Sequence, residues 1–321
     1  MQAKDIQRVG VLGLGTMGHG IAQTFAAADC SVTAFDESEA ARSTAIERIR
    51  SNLVQMAAEG LIDASAVEEI VERIVIVDQP GRAVEEAEFV VEAVLENLPL
   101  KQALFPQLES WVSVETVLAS NTSTFPMTQI SRDMQHPERA INTHWFNPPH
   151  LVPVVEVVPG ERTSPEVTEL TLELHKRIGK QAVRINREIP GLLVNRVQIA
   201  MIREVFHLWD QGIASAEDID TAVRGSMGFR MAANGPLEIA DFGGLDVWLK
   251  VFEGLAPEIR SDSVIPSKVR EIVDEGHYGM KTGQGIYDYP PEVAEQKRHE
   301  RDQRFMALAK LFYGQSSGDE A

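Results

Sequence analysis

The sequence predicts an α/β chain: a doubly wound, mostly parallel sheet followed by an all-α C-terminal domain. Three observations predict it. Short apolar, valine-rich runs alternate with helical stretches as far as residue 185. A Gly-X-Gly-X-X-Gly turn, Gly13-Leu14-Gly15-Thr16-Met17-Gly18, joins the first strand to the first helix. After Pro190-Gly191 the strand pattern stops, and only helices and turns follow.

Taken in order, strands are expected at 8–14, 31–36, 74–77, 89–94, 117–120, 140–143, 153–158 and 181–185. Helices are expected between them at 16–28, 38–59, 98–111, 127–132 and 165–178. The helix at 38–59 carries an apolar repeat near 3.6 residues (Ala45, Ile46, Ile49, Leu53, Met56), with Ser38 placed to cap its start and Gly60 its end. Further helices are expected at 193–210, 216–224, 236–252, 266–275 and 292–311, the last with a dense, solvated charge pattern. This places a nucleotide-binding domain at 1–187 and a helical domain at 188–321. The tail 314–321 has the composition of a disordered segment.

With 30 basic and 48 acidic residues, the 321-residue chain has a formal net charge of −18. That field disfavours nucleic-acid backbones and anionic membrane surfaces as partners. A single cysteine, Cys30, excludes an intrachain disulfide and reads as core filler. The start lacks the apolar segment of a signal peptide, and no run approaches the length of a membrane span, so a cytoplasmic location is expected. No metal site is expected.

The glycine turn has a mechanical reading. Gly13 permits the tight turn, Gly15 lets a pyrophosphate approach the backbone, and Gly18 packs helix against strand. Thr16 and Met17 sit where free N–H groups meet a phosphate. Asp36 ends the second strand 23 residues after Gly13, where its carboxylate can accept both adenosine ribose hydroxyls and repel a 2′-phosphate. NAD is therefore favoured over NADP. The run Glu92–Lys101 ends the fourth strand, where ligands gather in such sheets, and Glu96 and Lys101 are candidates for the nicotinamide-side ribose or for a surface pair.

The candidate chemistry lies further along. Ser120-Asn121-Thr122-Ser123 places hydroxyls and an amide at the end of the fifth strand. His144 and Glu156 stand twelve residues apart on two short apolar runs that read as neighbouring strands. A base and the acid that orients it suit proton transfer.

These segments together resemble the 3-hydroxyacyl-CoA dehydrogenase family. The match runs in order through Gly13–Ala22, Glu92–Lys101, Ser120–Ser123, His144–Pro148, Glu156, Pro190–Arg196, Asp218–Asp220, Gly235–Glu238 with Asp241, and Lys281–Tyr287. The resemblance implies a Rossmann domain, NAD as cofactor, a homodimer built on the helical domain, and a small-molecule substrate. It implies that His144 takes the hydroxyl proton and Glu156 stabilises the resulting imidazolium. It assigns Ser123 and Asn195 to the substrate oxygen and the histidine, and Asn147, Ser123 and Lys281 to the cofactor end.

The chain departs from the thioester enzymes in two places. Their lysine-rich helix after the second strand, which contacts the CoA phosphates, is here Ile49–Glu59 without a lysine; only Arg48 and Arg50 are basic. Their short Gly-aromatic-Pro run is here Gly228–Pro236, longer and carrying Arg230. This second feature, with Asn-Pro-Pro after His144, is similar to the branch containing lambda-crystallin (gulonate dehydrogenase) and to the branch oxidising a pyridine carboxylate in vitamin B6 breakdown. The expected substrate is then a small, carboxylated hydroxy acid or aldehyde hydrate, with a 3-hydroxyacyl-CoA as the alternative. Arg230 is a candidate fork for the carboxylate, or else an ordinary ion pair. Trp145 is a candidate pocket wall, or else core. A non-catalytic, crystallin-like nucleotide-binding protein is the alternative of another class.

Overall fold

The computed structural model describes residues 1–313. The chain forms two compact units: Met1–Asn195 together with the chain from Asp302 onward, and Arg196–Arg301.

The first unit alternates strand and helix: β1 (Arg8–Leu12), α1 (Gly18–Ala27), β2 (Ser31–Phe35), α2 (Glu39–Ala58), α3 (Ala66–Glu72), β3 (Ile74–Ile76), α4 (Pro80–Val84), β4 (Phe89–Glu92), α5 (Leu98–Trp111), β5 (Val117–Ser120), α6 (Met127–Ile130), β6 (Ala140–Trp145), β7 (Val154–Pro159), α7 (Pro165–Arg177) and β8 (Gln181–Arg184). The eight strands lie in the order β3-β2-β1-β4-β5-β6-β7-β8. Neighbours pair in parallel except β6 and β7, which run antiparallel, so the last two strands point against the first six. The doubly wound, mostly parallel sheet expected from the sequence is present. Helices α3 and α4 are additional; at seven and five residues they are too short to leave a clear period.

Strand parity decides what each face carries. Val9, Val11, Phe89, Val91, Val117, Ala119, Ile141, Val155 and Val157 face one side and pack on Ile21 and Phe25 of α1, Ile49 and Leu53 of α2, and Leu170 and Leu174 of α7. Leu12, Val90, Leu118 and Ala140 face the other side, against Val84 of α4, Phe105 and Leu108 of α5, and Met127 and Ile130 of α6. Burial on both faces explains why these strands read as continuous apolar runs rather than alternating ones. Ser38 caps α2, its hydroxyl accepting from the Ala41 amide, as its position indicated.

The helical part of the chain continues with α8 (Val194–Asp210), α9 (Ala216–Val223), a π-helical turn at Arg224–Gly228, α10 (Phe229–Ala233), α11 (Pro236–Gly243), α12 (Leu245–Leu255), α13 (Ser267–Asp274) and α14 (Pro291–Tyr313). One expectation is corrected here. The single helix expected at 236–252 is two, because Gly244 adopts φ +85°, a conformation no helix interior accepts. The segment around Arg230, which lies between the helices expected at 216–224 and 236–252, is helical, carried through by the π turn into α10. The expected surface helix is α14. The tail 314–321 lies outside the described residues.

Candidate active site

His144 and Glu156 are direct partners across the antiparallel β6–β7 pair. The imidazole Nδ1 lies 2.7 Å from Glu156 Oε2, and both side chains are buried. With a carboxylate beside it, Nδ1 carries the proton and donates it, leaving Nε2 as the lone-pair nitrogen. The other carboxylate oxygen, Oε1, accepts the main-chain N–H groups of Leu193 at 3.1 Å and Val194 at 2.9 Å. These are free amides at the start of α8, the positive end of a helix. Glu156 thus acts only as an acceptor, from three donors on two elements. Gly191 at φ +78° and Leu192 at φ +54° make the turn that aims those amides.

Asn195, in the first turn of α8, donates from Nδ2 to the Ser123 carbonyl at 3.3 Å. Ser123 sits in the turn after β5, whose geometry is held by Glu96. Glu96 Oε1 accepts the Thr122 hydroxyl at 2.6 Å and the amides of Ser123 and Thr124, each at 3.1 Å. Burial would raise its pKa, but the Thr122 hydroxyl, the Lys101 ammonium and the Ser123 amide together hold it below the ordinary value. Asn121 completes the turn by accepting the Trp145 amide at 2.9 Å. So His144, Glu156, Ser123 and Asn195 are brought together within the first unit, through contacts that also involve Glu96.

Lys101 lies deeper than either of its two sequence readings placed it. It was a candidate for the cofactor ribose, yet its ammonium is fully buried, 2.6 Å from Glu92 Oε1 and 3.3 Å from Glu96 Oε2. Glu92 also accepts the Ser120 hydroxyl at 2.5 Å and the Val94 amide at 2.8 Å. Lys101 therefore acts on the site through Glu96. Glu92 and Asn121 were quoted in the sequence motifs without a role; the only signal for them was an acid at a buried strand end and an amide after one. Of the two readings of Trp145, the structure shows core packing. Parity turns it to the opposite face from His144, into the core between Phe25 and His175, with ring centroids 5.9 Å and 5.3 Å away. Phe146, whose ring centroid is 4.5 Å from that of His144, is the aromatic beside the imidazole.

The glycine turn fits a dinucleotide. Gly13 has φ +95°, and a Cβ there would stand 2.4 Å from the Ala93 carbonyl oxygen. A Cβ on Gly18 would collide with the Gly13 carbonyl at 1.7 Å, whereas one on Gly15 would point into open space, at the side from which a phosphate approaches. Thr16 is exposed and Met17 half-buried beside it. Asp36 ends the second strand as expected: its oxygens accept the amides of Leu14 at 2.6 Å and Ser38 at 2.8 Å, which fixes the carboxylate at the tip of β2. Asn147 is exposed in the loop after β6. Arg230 and Lys281 lie in the second unit, both exposed, Arg230 donating from Nε to the Ser226 carbonyl at 3.4 Å. No helix among the described residues is long and apolar enough to cross a membrane.

Comparison with known proteins adds the following. Residues 8–189 match the NAD binding domain of 3-hydroxyacyl-CoA dehydrogenase, and residues 191–289 match the C-terminal domain of 3-hydroxyacyl-CoA dehydrogenase. A 5-formyl-3-hydroxy-2-methylpyridine 4-carboxylate 5-dehydrogenase of Mesorhizobium japonicum is 33% identical over 312 residues, covering 96% of this chain and 99% of that one. A probable 3-hydroxybutyryl-CoA dehydrogenase of Bacillus subtilis is 36% identical over 291 residues, covering 90% of this chain and 100% of that one. A crystal structure of a 5-formyl-3-hydroxy-2-methylpyridine 4-carboxylic acid 5-dehydrogenase, described as an NAD+ dependent dismutase, superposes with a TM-score of 0.90 at 31% identity, covering 97% of this chain and all of that one.

Two outcomes test this geometry. Lys101→Met strands the buried Glu92 carboxylate without its cation and should destabilise the fold by about 3–5 kcal/mol, read as a fall in the denaturant midpoint; a loss under about 1 kcal/mol would contradict the buried pair. Asp36→Ser removes the negative charge at the tip of β2 and should narrow the preference for NAD over NADP by at least about tenfold in Kd, a change of roughly 1.4 kcal/mol. An unchanged preference would remove Asp36 from the ribose site.

Proposed function

Because the chain belongs to the 3-hydroxyacyl-CoA dehydrogenase family, we propose that it oxidises a carbinol of a small carboxylated substrate, a hydroxy acid or an aldehyde hydrate, with NAD as acceptor. The observation that carries the reading is the His144–Glu156 pair, oriented by the start of α8 in the same unit as the glycine turn. When bound, NAD supplies the hydride acceptor at its nicotinamide ring. The residues do the rest. His144 Nε2 takes the hydroxyl proton as the carbinol carbon gives up its hydrogen as hydride, and the C–O bond becomes a carbonyl. For an aldehyde hydrate the product is the carboxylic acid. Glu156, held by the Leu193 and Val194 amides, stabilises the imidazolium without itself moving. Ser123 and Asn195, joined through the Ser123 carbonyl, orient the substrate oxygen and the imidazole. A positioned base of this kind is worth roughly 10²–10⁴-fold in rate. Glu96, Asn147 and Lys281 remain candidates for the cofactor end. The presence of the full base pair argues against a purely structural, crystallin-like role.

The free acid is favoured over a CoA thioester by α2. It has no lysine, and each of its three arginines is engaged. Arg42 donates to the Asp36 and Glu37 carbonyls, Arg48 to those of Leu14 and Ala41, and Arg50 pairs with Glu68 and Glu47. A CoA polyphosphate would have to displace these contacts in a protein of net charge −18. The Mesorhizobium relative, named for a pyridine carboxylate, points the same way. Arg230 is our candidate for the substrate carboxylate, since its Nε bond to Ser226 leaves both terminal nitrogens as a fork. The Bacillus relative keeps the thioester as the competing reading.

Reduction of NAD, followed by absorbance, against 3-hydroxybutyryl-CoA, gulonate and hydroxymethyl- or formyl-pyridine carboxylates tests the reading. A carboxylate should exceed the thioester in kcat/KM, and Arg230→Ala should lower kcat/KM on the carboxylate alone; the reverse order establishes the thioester. His144→Gln should lower kcat by about 10²–10⁴-fold while leaving NAD affinity nearly intact. Wild-type turnover by that variant would remove His144 as base.

A second copy of the chain is the proposed partner. In the second unit Leu237, Phe242 and Phe252 are 83%, 77% and 70% exposed, with Leu245, Leu249 and Leu255 also exposed on α12. An apolar surface of this extent supports the dimer reading. Light scattering should give about twice the 35.5 kDa chain mass. Phe252→Asp should shift the population toward monomer; a monomeric wild-type protein at micromolar concentration would refute the dimer.

A further inference from the structure

Lys180, just before β8, is buried at 6% exposure. Its ammonium donates to the main-chain carbonyls of Pro149 at 2.6 Å and Val152 at 2.9 Å, and it lies 5.2 Å from the Trp145 ring centroid. Burial alone pulls its pKa down, to about 7, with no carboxylate offsetting it. The titratable neighbour across the Trp145 ring, His175 of α7, is itself buried and pulled down to about 4. A cation placed this way costs stability, so its contacts call for a function.

The carbonyls it binds belong to the loop 146–153, which joins the strand of His144 to the strand of Glu156 and carries Asn147. This loop holds prolines at 148, 149 and 153, which donate no N–H. The loop amides of Leu151 and Val152 both go to the Pro148 carbonyl, and Lys180 supplies the donors for the carbonyls of Pro149 and Val152. The same loop packs against α1. A Cβ built on Gly20 would stand 2.7 Å from Pro149 Cγ and 3.1 Å from His150 Nδ1. Gly20 lies in the first turn of α1, immediately after Gly18 and the glycine turn.

We propose that Lys180 is a positioning residue for the dinucleotide: its two bonds press the loop 146–153 onto Gly20, and so fix Asn147 against the N-terminus of α1 where the pyrophosphate binds. The clamp rests on the reading of the glycine turn as the NAD site, and it acts on cofactor affinity rather than on the proton transfer. It links the two halves of the site, the base pair on β6 and β7 and the phosphate cradle before α1, through one buried side chain.

Calorimetric titration of NAD into wild-type, Lys180→Met and Lys180→Arg proteins tests it. Lys180→Met keeps the apolar stem and removes the donors. If the loop then occupies its clamped position about a tenth of the time, the NAD Kd rises roughly tenfold, and kcat at saturating NAD falls less than threefold. Lys180→Arg, which keeps donors, should bring Kd back to within about threefold of wild type. Equal NAD affinity in wild-type and Lys180→Met proteins, with only a lower melting temperature, would reduce Lys180 to a structural role and overturn the proposal. Absence of NAD binding by the wild-type protein would instead remove the cofactor site, and the clamp with it. Should Lys180→Met fail to fold, Gly20→Ala presses on the loop from the opposite side. It should raise the NAD Kd in the same way, and an unchanged Kd there overturns the clamp.

Discussion

The Glu156 carboxylate is the interaction on which the rest of the site depends. One oxygen holds the His144 ring and the other holds two amides at the start of α8. A single side chain thus ties β7 to β6 and to the first turn of the helix that carries Asn195. The entropy of fixing an imidazole is met by a bond 2.7 Å long whose acceptor is itself immobile. Because Glu156 is fully buried, its attraction for a developing imidazolium is weakly screened. Stabilisation that grows as the histidine gains charge acts on the transition state more than on the ground state.

A second buried acid, Glu92, does comparable work on the cofactor side. It is on the same sheet face as His144 and Glu156, by the parity that assigns Val90 and Leu118 to that face. Its cation, Lys101, bridges to Glu96, and Glu96 collects the hydroxyl and amides of the turn bearing Ser123. Charge is therefore carried from the buried sheet end to the exposed turn in alternating signs: Glu92, Lys101, Glu96. Each member satisfies the next, which is the condition under which buried polar networks are tolerated. Glu96 keeps some exposure, 35% for its side chain, and so remains able to meet a ligand where Lys101 cannot.

Much of this was legible in the sequence, and the limits have physical causes. The glycine turn, Asp36 and the order of strands are local: backbone sterics and the periodicity of apolar residues write them into neighbouring positions. His144 and Glu156 were readable as partners because two short apolar runs separated by a brief connection pair across a narrow distance. Trp145 was left open between pocket and core, although adjacency in sequence is opposition in a strand and counting by two from His144 sends it to the core. The burial of Lys101 was not legible because a lysine on a helix is ordinarily solvated, and only the fold reveals two acids enclosing it. The amides of Leu193 and Val194 carry no side-chain signature at all. Their role arises from φ at Gly191 and Leu192, which composition does not encode.

The charge balance fits the same picture. A chain at −18 repels anions at long range, yet the proposed ligands, a dinucleotide and a carboxylate, are both anionic. At physiological salt the repulsion is screened within about 8 Å, so what matters is the short-range donor set. Around the glycine turn that set combines main-chain amides, whose dipoles do not depend on the net charge, with the Arg48 guanidinium bound to the Leu14 carbonyl. The arginines of α2 are held by carbonyls and acids rather than standing free to attract polyphosphate. On the proposed reading, the preference for a compact carboxylate over a CoA ester rests on where donors are placed, without any group dedicated to rejecting the ester.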